Sequence, residues 1–177
     1  MNTIGILGCG WLGIALGEVL KKNEYAVRGT RRGKEGIRLL KKKGIAAFQM
    51  DVFPDKITGD FSFFDGIDTL IISIPPDRKN SSSSFVQKIT TVLNMVRSSS
   101  INRILFLSST SVYGNSAGIF NEHTVPNPQT TSAKALYEVE QKLLNFQVPK
   151  LIIRLGGLVG EDRNPFVYLQ DKKISNP

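Results

Sequence analysis

Three glycines near the start of the chain, Gly8, Gly10 and Gly13, stand between a short apolar run, Thr3–Leu7, and a stretch with helical spacing of apolar residues, Trp11–Lys22. A glycine triplet alone constrains little. Directly after a strand and directly before a helix, it demands a strand–turn–helix unit whose turn backbone is open to a ligand. Gly8 then serves the tight turn, Gly10 the approach of a phosphate to the backbone, and Gly13 the close packing of helix on strand. The first helical turn adds free N–H groups and the positive end of the helix dipole. The loop Gly8-Cys9-Gly10-Trp11-Leu12-Gly13 is therefore read as the seat of a dinucleotide pyrophosphate. Within it, Cys9 and Trp11 are read as packing or rim residues.

The rest of the chain repeats the alternation. Strands are expected over residues 3–7, 25–29, 45–50, 67–74, 101–107 and 151–155, and helices over 11–22, 34–43, 85–96 and 133–146. Pro75-Pro76 ends the fourth run because proline has no N–H to donate. Gly44 stops the second helix. Ser81 to Ser84 reads as a flexible loop, and the chain from Gly156 onward as mostly loop, with Glu161-Asp162-Arg163 a solvated run. Such alternation predicts a doubly wound parallel sheet with helices on both faces, a Rossmann-type α/β fold, as a single domain over 1–177.

Composition narrows the classes. Hydrophobic residues at 41% and charged residues at 21% suit a folded globular chain and argue against bulk disorder. The lone cysteine, Cys9, has no partner in the chain, and no Cys/His spacing suits zinc, so no metal is expected. The N-terminus lacks a signal-peptide pattern, and no apolar run reaches the roughly 18 residues of a membrane span. A soluble, cytoplasmic protein is the expectation. The net charge of +8 lacks aromatic–basic interleaving or a helix-turn-helix pattern, so no specific nucleic-acid partner is expected.

Where that charge falls is more informative. Binders of NAD place an acid at the end of the second strand, about 20 residues past the glycines, to hold the ribose hydroxyls. Here the segment reads Val27-Arg28-Gly29-Thr30-Arg31-Arg32. Arginine forks match phosphate oxygens, and Thr30 can add a hydroxyl donor, so Arg31, Arg32 and Thr30 point to a 2′-phosphate and to NADP(H) over NAD(H). Lys41-Lys42-Lys43 reads as a solvated helix end. Asp51, after the third strand, is placed either for the adenine amine or as a turn-former before Pro54. Ser73, near the end of the fourth apolar run, joins the expected cofactor contacts.

Further along, Leu105-Phe106-Leu107-Ser108-Ser109-Thr110-Ser111-Val112-Tyr113-Gly114 resembles the strand and loop of the extended short-chain dehydrogenases/reductases, the NAD-dependent epimerase/dehydratase group. Glu122, Pro126 and residues 128–134 resemble the loop into that group's active-site helix, and residues 151–160 the strand and turn beside its nicotinamide. Met50-Asp51-Val52 resembles the adenine-contacting turn, which adds Val52 to the expected contacts. The glycine loop lacks the group's usual T-G-x-x-G-x-x-G form and points to its atypical branch.

The resemblance implies a Ser/Thr, Tyr, Lys chemistry, in which a phenol exchanges a proton and the lysine holds the ribose. Ser109 matches the Ser/Thr position and Lys134 the lysine, but Thr130 stands where the tyrosine belongs. A threonine hydroxyl cannot replace a phenol as acid. Three accounts stay open: binding without the family reaction, proton transfer by another group such as Tyr113 or Tyr137, or a reaction needing only weak acid catalysis. His123, the single histidine, reads as an exposed loop residue. The expected function is an NAD(P)-dependent oxidoreductase or epimerase acting on a small polar molecule such as a nucleotide-sugar. The alternative is a non-catalytic dinucleotide-binding or redox-sensing module. The resemblance further implies a homodimer through a helix pair, and a C-terminal substrate portion that is largely missing here, whether from a short relative or a truncated chain.

Overall fold

The computed structural model describes residues 2–76, 82–160 and 162–165. Strands β1 (Thr3–Leu7), β2 (Ala26–Arg31), β3 (Ala46–Val52), β4 (Ile57–Gly59), β5 (Thr69–Ile72), β6 (Arg103–Ser109) and β7 (Lys150–Leu155) alternate with helices α1 (Trp11–Lys22), α2 (Lys34–Lys42), α3 (Ser82–Arg97) and α4 (Thr131–Leu144). They form one sheet in the order β4-β3-β2-β1-β5-β6-β7. The six expected strands are all present and all parallel. The unexpected β4 has three residues and folds back antiparallel on the end of β3. So short a segment carries no period that a sequence pattern can register.

Strands β1, β3, β5 and β6 divide their side chains between two cores, the mark of a sheet covered on both faces. Leu7, Leu70, Ile72, Ile104 and Phe106 join Phe85, Ile89, Val139 and Leu143 from α3 and α4 on one side. On the other, Ile4, Ile6, Val27 and Ile71 meet Leu40 of α2, with Ile14 and Leu16 of α1 packed against them. The apolar stripe expected for α1 is only partly inward. Gly13 and Gly17 are its buried residues, while Val19 is 55% exposed.

Three boundaries bear on the site. β2 runs on to Arg31, so Thr30 and Arg31 are strand residues. β3 runs on to Val52, so Asp51 lies inside the strand, paired with Thr58, and not in a turn after it. The expected serine loop is helix from Ser82 onward, while Ser81 lies outside the described residues. No described helix is long and apolar enough to cross a membrane.

Candidate functional site

The sheet order reverses between β1 and β5, and in doubly wound sheets the crevice past the carboxyl ends of those strands receives the ligand. The glycine loop crosses this point. Gly8 has φ +83°, a conformation that favours glycine, and a side chain there would collide with Ile74. A Cβ on Gly13 would fall 3.1 Å from Ile6 and 3.3 Å from Cys9 Sγ, so α1 sits as close to β1 as the missing side chain allows. A Cβ on Gly10, by contrast, would meet nothing nearer than Arg31 Nη1 at 3.6 Å. No side chain caps α1 at Gly10, which leaves its first turn without the partner that a closed helix end would have. An open backbone over an uncapped helix start fits a dinucleotide pyrophosphate.

Thr30 holds the loop from beneath. It is 2% exposed, its Oγ1 accepts from the Gly8 N–H at 2.9 Å, and its carbonyl accepts from the Cys9 N–H at 3.0 Å. Its hydroxyl is thus a support for the turn, and not the exposed phosphate donor suggested by the sequence. Cys9 turns its side chain inward against Gly13 and Gly29, so only its backbone borders the loop surface. Burial pushes the thiol up from 9.0 to about 11, with Arg31 pulling weakly the other way.

Arg31 is half-buried between the glycine loop and α2. Its Nη1 donates to the Cys9 carbonyl at 3.3 Å, and its stem lies against Gly36. Arg32 is exposed beside it, and α2, like α1, begins at a glycine with no side-chain cap, although Glu35 lies in its first turn. Arg28 is committed elsewhere, donating to the carbonyls of Ser62 and Phe63 and lying over Phe48. Asp51 is half-buried at the same end of the sheet, its carboxylate accepting from the Val52 N–H, while the Val52 side chain belongs to the core.

A cleft of about 320 Å³ opens at the reversal point, lined by Gly8, Gly10, Trp11 and Leu12, by Ser73 to Pro76 after β5, by Leu107, Ser108 and Ser109 of β6, and by Leu136, Leu155, Leu158 and Arg163. Ser73 and Ser109 are therefore brought together with the glycine loop. Ser109 Oγ accepts from the Ser111 N–H at 3.1 Å and starts a short 3-10 turn. A roomier groove of about 490 Å³, between α3, α4 and the Pro54 turn, lies away from the glycine loop.

Thr130 and Lys134 are not among the residues that line the cleft with Ser109. Thr130 is exposed and caps α4, its Oγ1 accepting from the Ala133 N–H at 3.1 Å. Lys134 is exposed on the helix, and the residue that α4 presents to the cleft is Leu136. Two residues along a helix is a rotation of about 200°, so Lys134 and Leu136 face opposite ways, whereas Ser132 shares the Leu136 face. A buried network sets this rotation. Glu140, 1% exposed, accepts from Ser108 Oγ at 2.5 Å and from Arg154 Nη2 at 2.7 Å, and Arg154 Nη1 donates to Tyr113 Oη at 2.8 Å. The Glu140 carboxylate and the phenol hold the Arg154 guanidinium yet more firmly protonated than usual. Tyr113 is engaged in that network, Tyr137 packs against the core, and neither is among the residues that line the cleft. His123 lies in the exposed loop, 3.8 Å from Glu122.

Asp162 and Arg163 are exposed, as a solvated run would be, and both also contact Trp11. Asp162 accepts from the Trp11 indole N–H, the Arg163 guanidinium lies 4.2 Å over the Trp11 ring, and Gly160 packs on its edge. Glu161 lies outside the described residues. Arg163 is the one ionisable side chain among the described residues lining the cleft. Sequence reading missed it because no local pattern ties Trp11 to a segment at the far end of the chain. It missed Glu140 too, although a carboxylate among Leu136, Val139 and Leu143 on an apolar helix face is a signal that a buried partner exists. Among the described residues, no group of three or more His, Cys, Asp or Glu side chains could hold a metal ion.

Known proteins resemble this chain. Protein YeeZ of Escherichia coli (strain K12) is 32% identical over 176 residues, spanning 97% of this chain and 64% of its own length. The structure of a functionally unknown conserved protein from Silicibacter pomeroyi superposes with a TM-score of 0.74 at 23% identity, covering 98% of this chain and 59% of that one. UDP-glucuronic acid 4-epimerase from Bacillus cereus, in complex with NAD, superposes with a TM-score of 0.72 at 22% identity, covering 92% and 58%. The structural likenesses establish the fold. The chain thus spans less than two thirds of the length of these relatives. Residues 4–167 match the NAD dependent epimerase/dehydratase family, and it is to this family that the chain belongs.

Proposed function

We propose that this chain binds NADP(H) in the crevice between β1 and β5, as the dinucleotide-binding unit of an oxidoreductase or epimerase acting on a small polar molecule such as a nucleotide-sugar. The observation that carries the reading is the uncapped start of α1 at Gly10, set over an open cleft at the reversal point of the sheet. Arg31 beside the loop and the absence of a carboxylate at the end of β2 favour the 2′-phosphorylated cofactor. Here Gly10, Trp11 and Leu12 hold the pyrophosphate through their backbone, Arg31 and Arg32 the 2′-phosphate, Asp51 the adenine, and Ser73 and Ser109 the nicotinamide end. Bound there, the nicotinamide supplies hydride transfer, and Ser109 donates a hydrogen bond to a substrate oxygen.

Titration with NADPH and NADH tests this. NADPH should bind more tightly, and Arg31→Ala should weaken NADPH selectively. Equal affinity for the two would overturn the NADP(H) assignment, and binding of neither would overturn the nucleotide reading itself.

One observation favours the second reading, a non-catalytic or redox-sensing dinucleotide module. Leu136 faces the cleft, and the only ionisable group among the described lining residues is an arginine, which cannot shuttle a proton near neutral pH. Turnover that disappears in Ser109→Ala supports the enzyme; nucleotide binding without turnover supports the module.

A further inference from the structure

The segment after β7 returns to the glycine loop and closes on one side chain. Trp11 is the residue immediately after Gly10, and it is enclosed by Gly160 on its edge, Asp162 at its indole N–H and Arg163 across its ring. Arg163 and the loop glycines line the same cleft. The indole N–H takes up Asp162, and among the described residues no carboxylate lies within ion-pair distance of Arg163. The exposed guanidinium thus sits over the Trp11 ring beside the cleft, without an ion-pair partner among the described residues.

From the juxtaposition of Arg163, Trp11 and the glycine loop, we propose that Arg163 is a phosphate ligand, which clamps the dinucleotide pyrophosphate against the start of α1 from the side opposite the loop. This rests on the nucleotide reading above. The loop offers only backbone N–H groups, and none of its side chains is cationic. A planar fork with fixed donors suits a pyrophosphate, and the contact with the Trp11 ring restricts the side chain before the ligand arrives, so less freedom is lost on binding. The assignment divides the two arginines between two phosphates: Arg31 toward the 2′-phosphate and Arg163 toward the bridge.

Two probes separate these roles in the full chain: NADPH, which has both phosphate sites, and adenosine 2′-monophosphate, which has no pyrophosphate and is measured by competition. Arg163→Ala should weaken NADPH about tenfold, as for a charge-assisted hydrogen bond, and flatten its salt dependence. It should leave adenosine 2′-monophosphate unchanged, whereas Arg31→Ala should weaken both. Arg163→Gln keeps much of the side-chain length without the charge; it should match Arg163→Ala if charge is what binds. NADPH affinity unchanged in both variants, or equal weakening of the two probes, overturns the clamp. Failure of the unmodified chain to bind NADPH overturns the nucleotide reading, and the clamp with it.

Discussion

Glu140 on α4 and Arg154 on β7 form a two-pronged ion pair, Nη2 at 2.7 Å and Nε at 3.2 Å from the same carboxylate oxygen, with Glu140 1% exposed. The pair ties the helix to the strand at one rotation. Ser108 joins it from β6 at 2.5 Å, so three elements meet on one carboxylate. Given that anchor, the side chain one turn earlier, Leu136, must face the cleft, and Lys134 must face away.

Removing one member of a buried pair strands the other charge, at about 3–5 kcal/mol. Glu140→Ala should therefore lower the melting temperature by about ten degrees, at about 2–4 °C per kcal/mol for a chain of this size. A thermal melt within a degree or two of the unmodified protein would remove the pair from the account of how α4 is set.

The fold was legible because its signals are local and repeated. The glycines between 3–7 and 11–22, and the proline stop after β5, each depend on neighbours a few residues away. The site was legible only in part. Gly10, Ser73 and Ser109 line the cleft, but the spacing of Thr130 and Lys134 did not reveal how α4 is rotated, because a carboxylate 10 residues past Thr130 decides it through β7. Thr30 was placed at the right loop with a different task, since burial depends on what packs above a strand and not on the strand itself. Asp162 and Arg163 gained their meaning only from a contact across the whole chain.

Thr30→Val keeps the shape but removes the acceptor for the Gly8 N–H. An unmet buried donor costs about 1–3 kcal/mol. Chemical denaturation should show a loss in that range, with nucleotide affinity falling alongside it, while Thr30→Ser should retain most of both. A Val variant as stable and as tight-binding as the parent would mean that the hydroxyl does not support the loop.

Lys134→Ala and Leu136→Ala should behave oppositely. Lys134 is exposed, so its loss should change stability by no more than about 0.5 kcal/mol and leave nucleotide affinity intact. Leu136 is 6% exposed, and its truncation should cost about 2–5 kcal/mol. If Lys134→Ala instead abolishes nucleotide binding, the lysine reaches the cofactor and α4 turns that face toward the cleft.

The Cys9 thiol, raised from 9.0 to about 11 by burial, makes stability fall in alkali. The folded state keeps the proton where the unfolded state has lost it, so this contribution is complete below pH 9 and drains away as pH rises toward 11. Cys9→Ala should flatten that alkaline decline, and a thiol reagent at neutral pH should label the folded chain slowly. Rapid labelling would show that the thiol is neither buried nor protonated.

The nucleotide assignment comes down to the space above Gly10. Calorimetric titration with NADPH of the unmodified chain and of Gly10→Val, each with a melting curve, addresses it directly. Binding is expected in the first and none in the second, with closely similar melting temperatures, because the added side chain enters a cradle open to ligand, where no atom beyond the flanking residues lies nearer its Cβ than 3.6 Å. NADPH binding of equal strength in both proteins, or in neither, would contradict it.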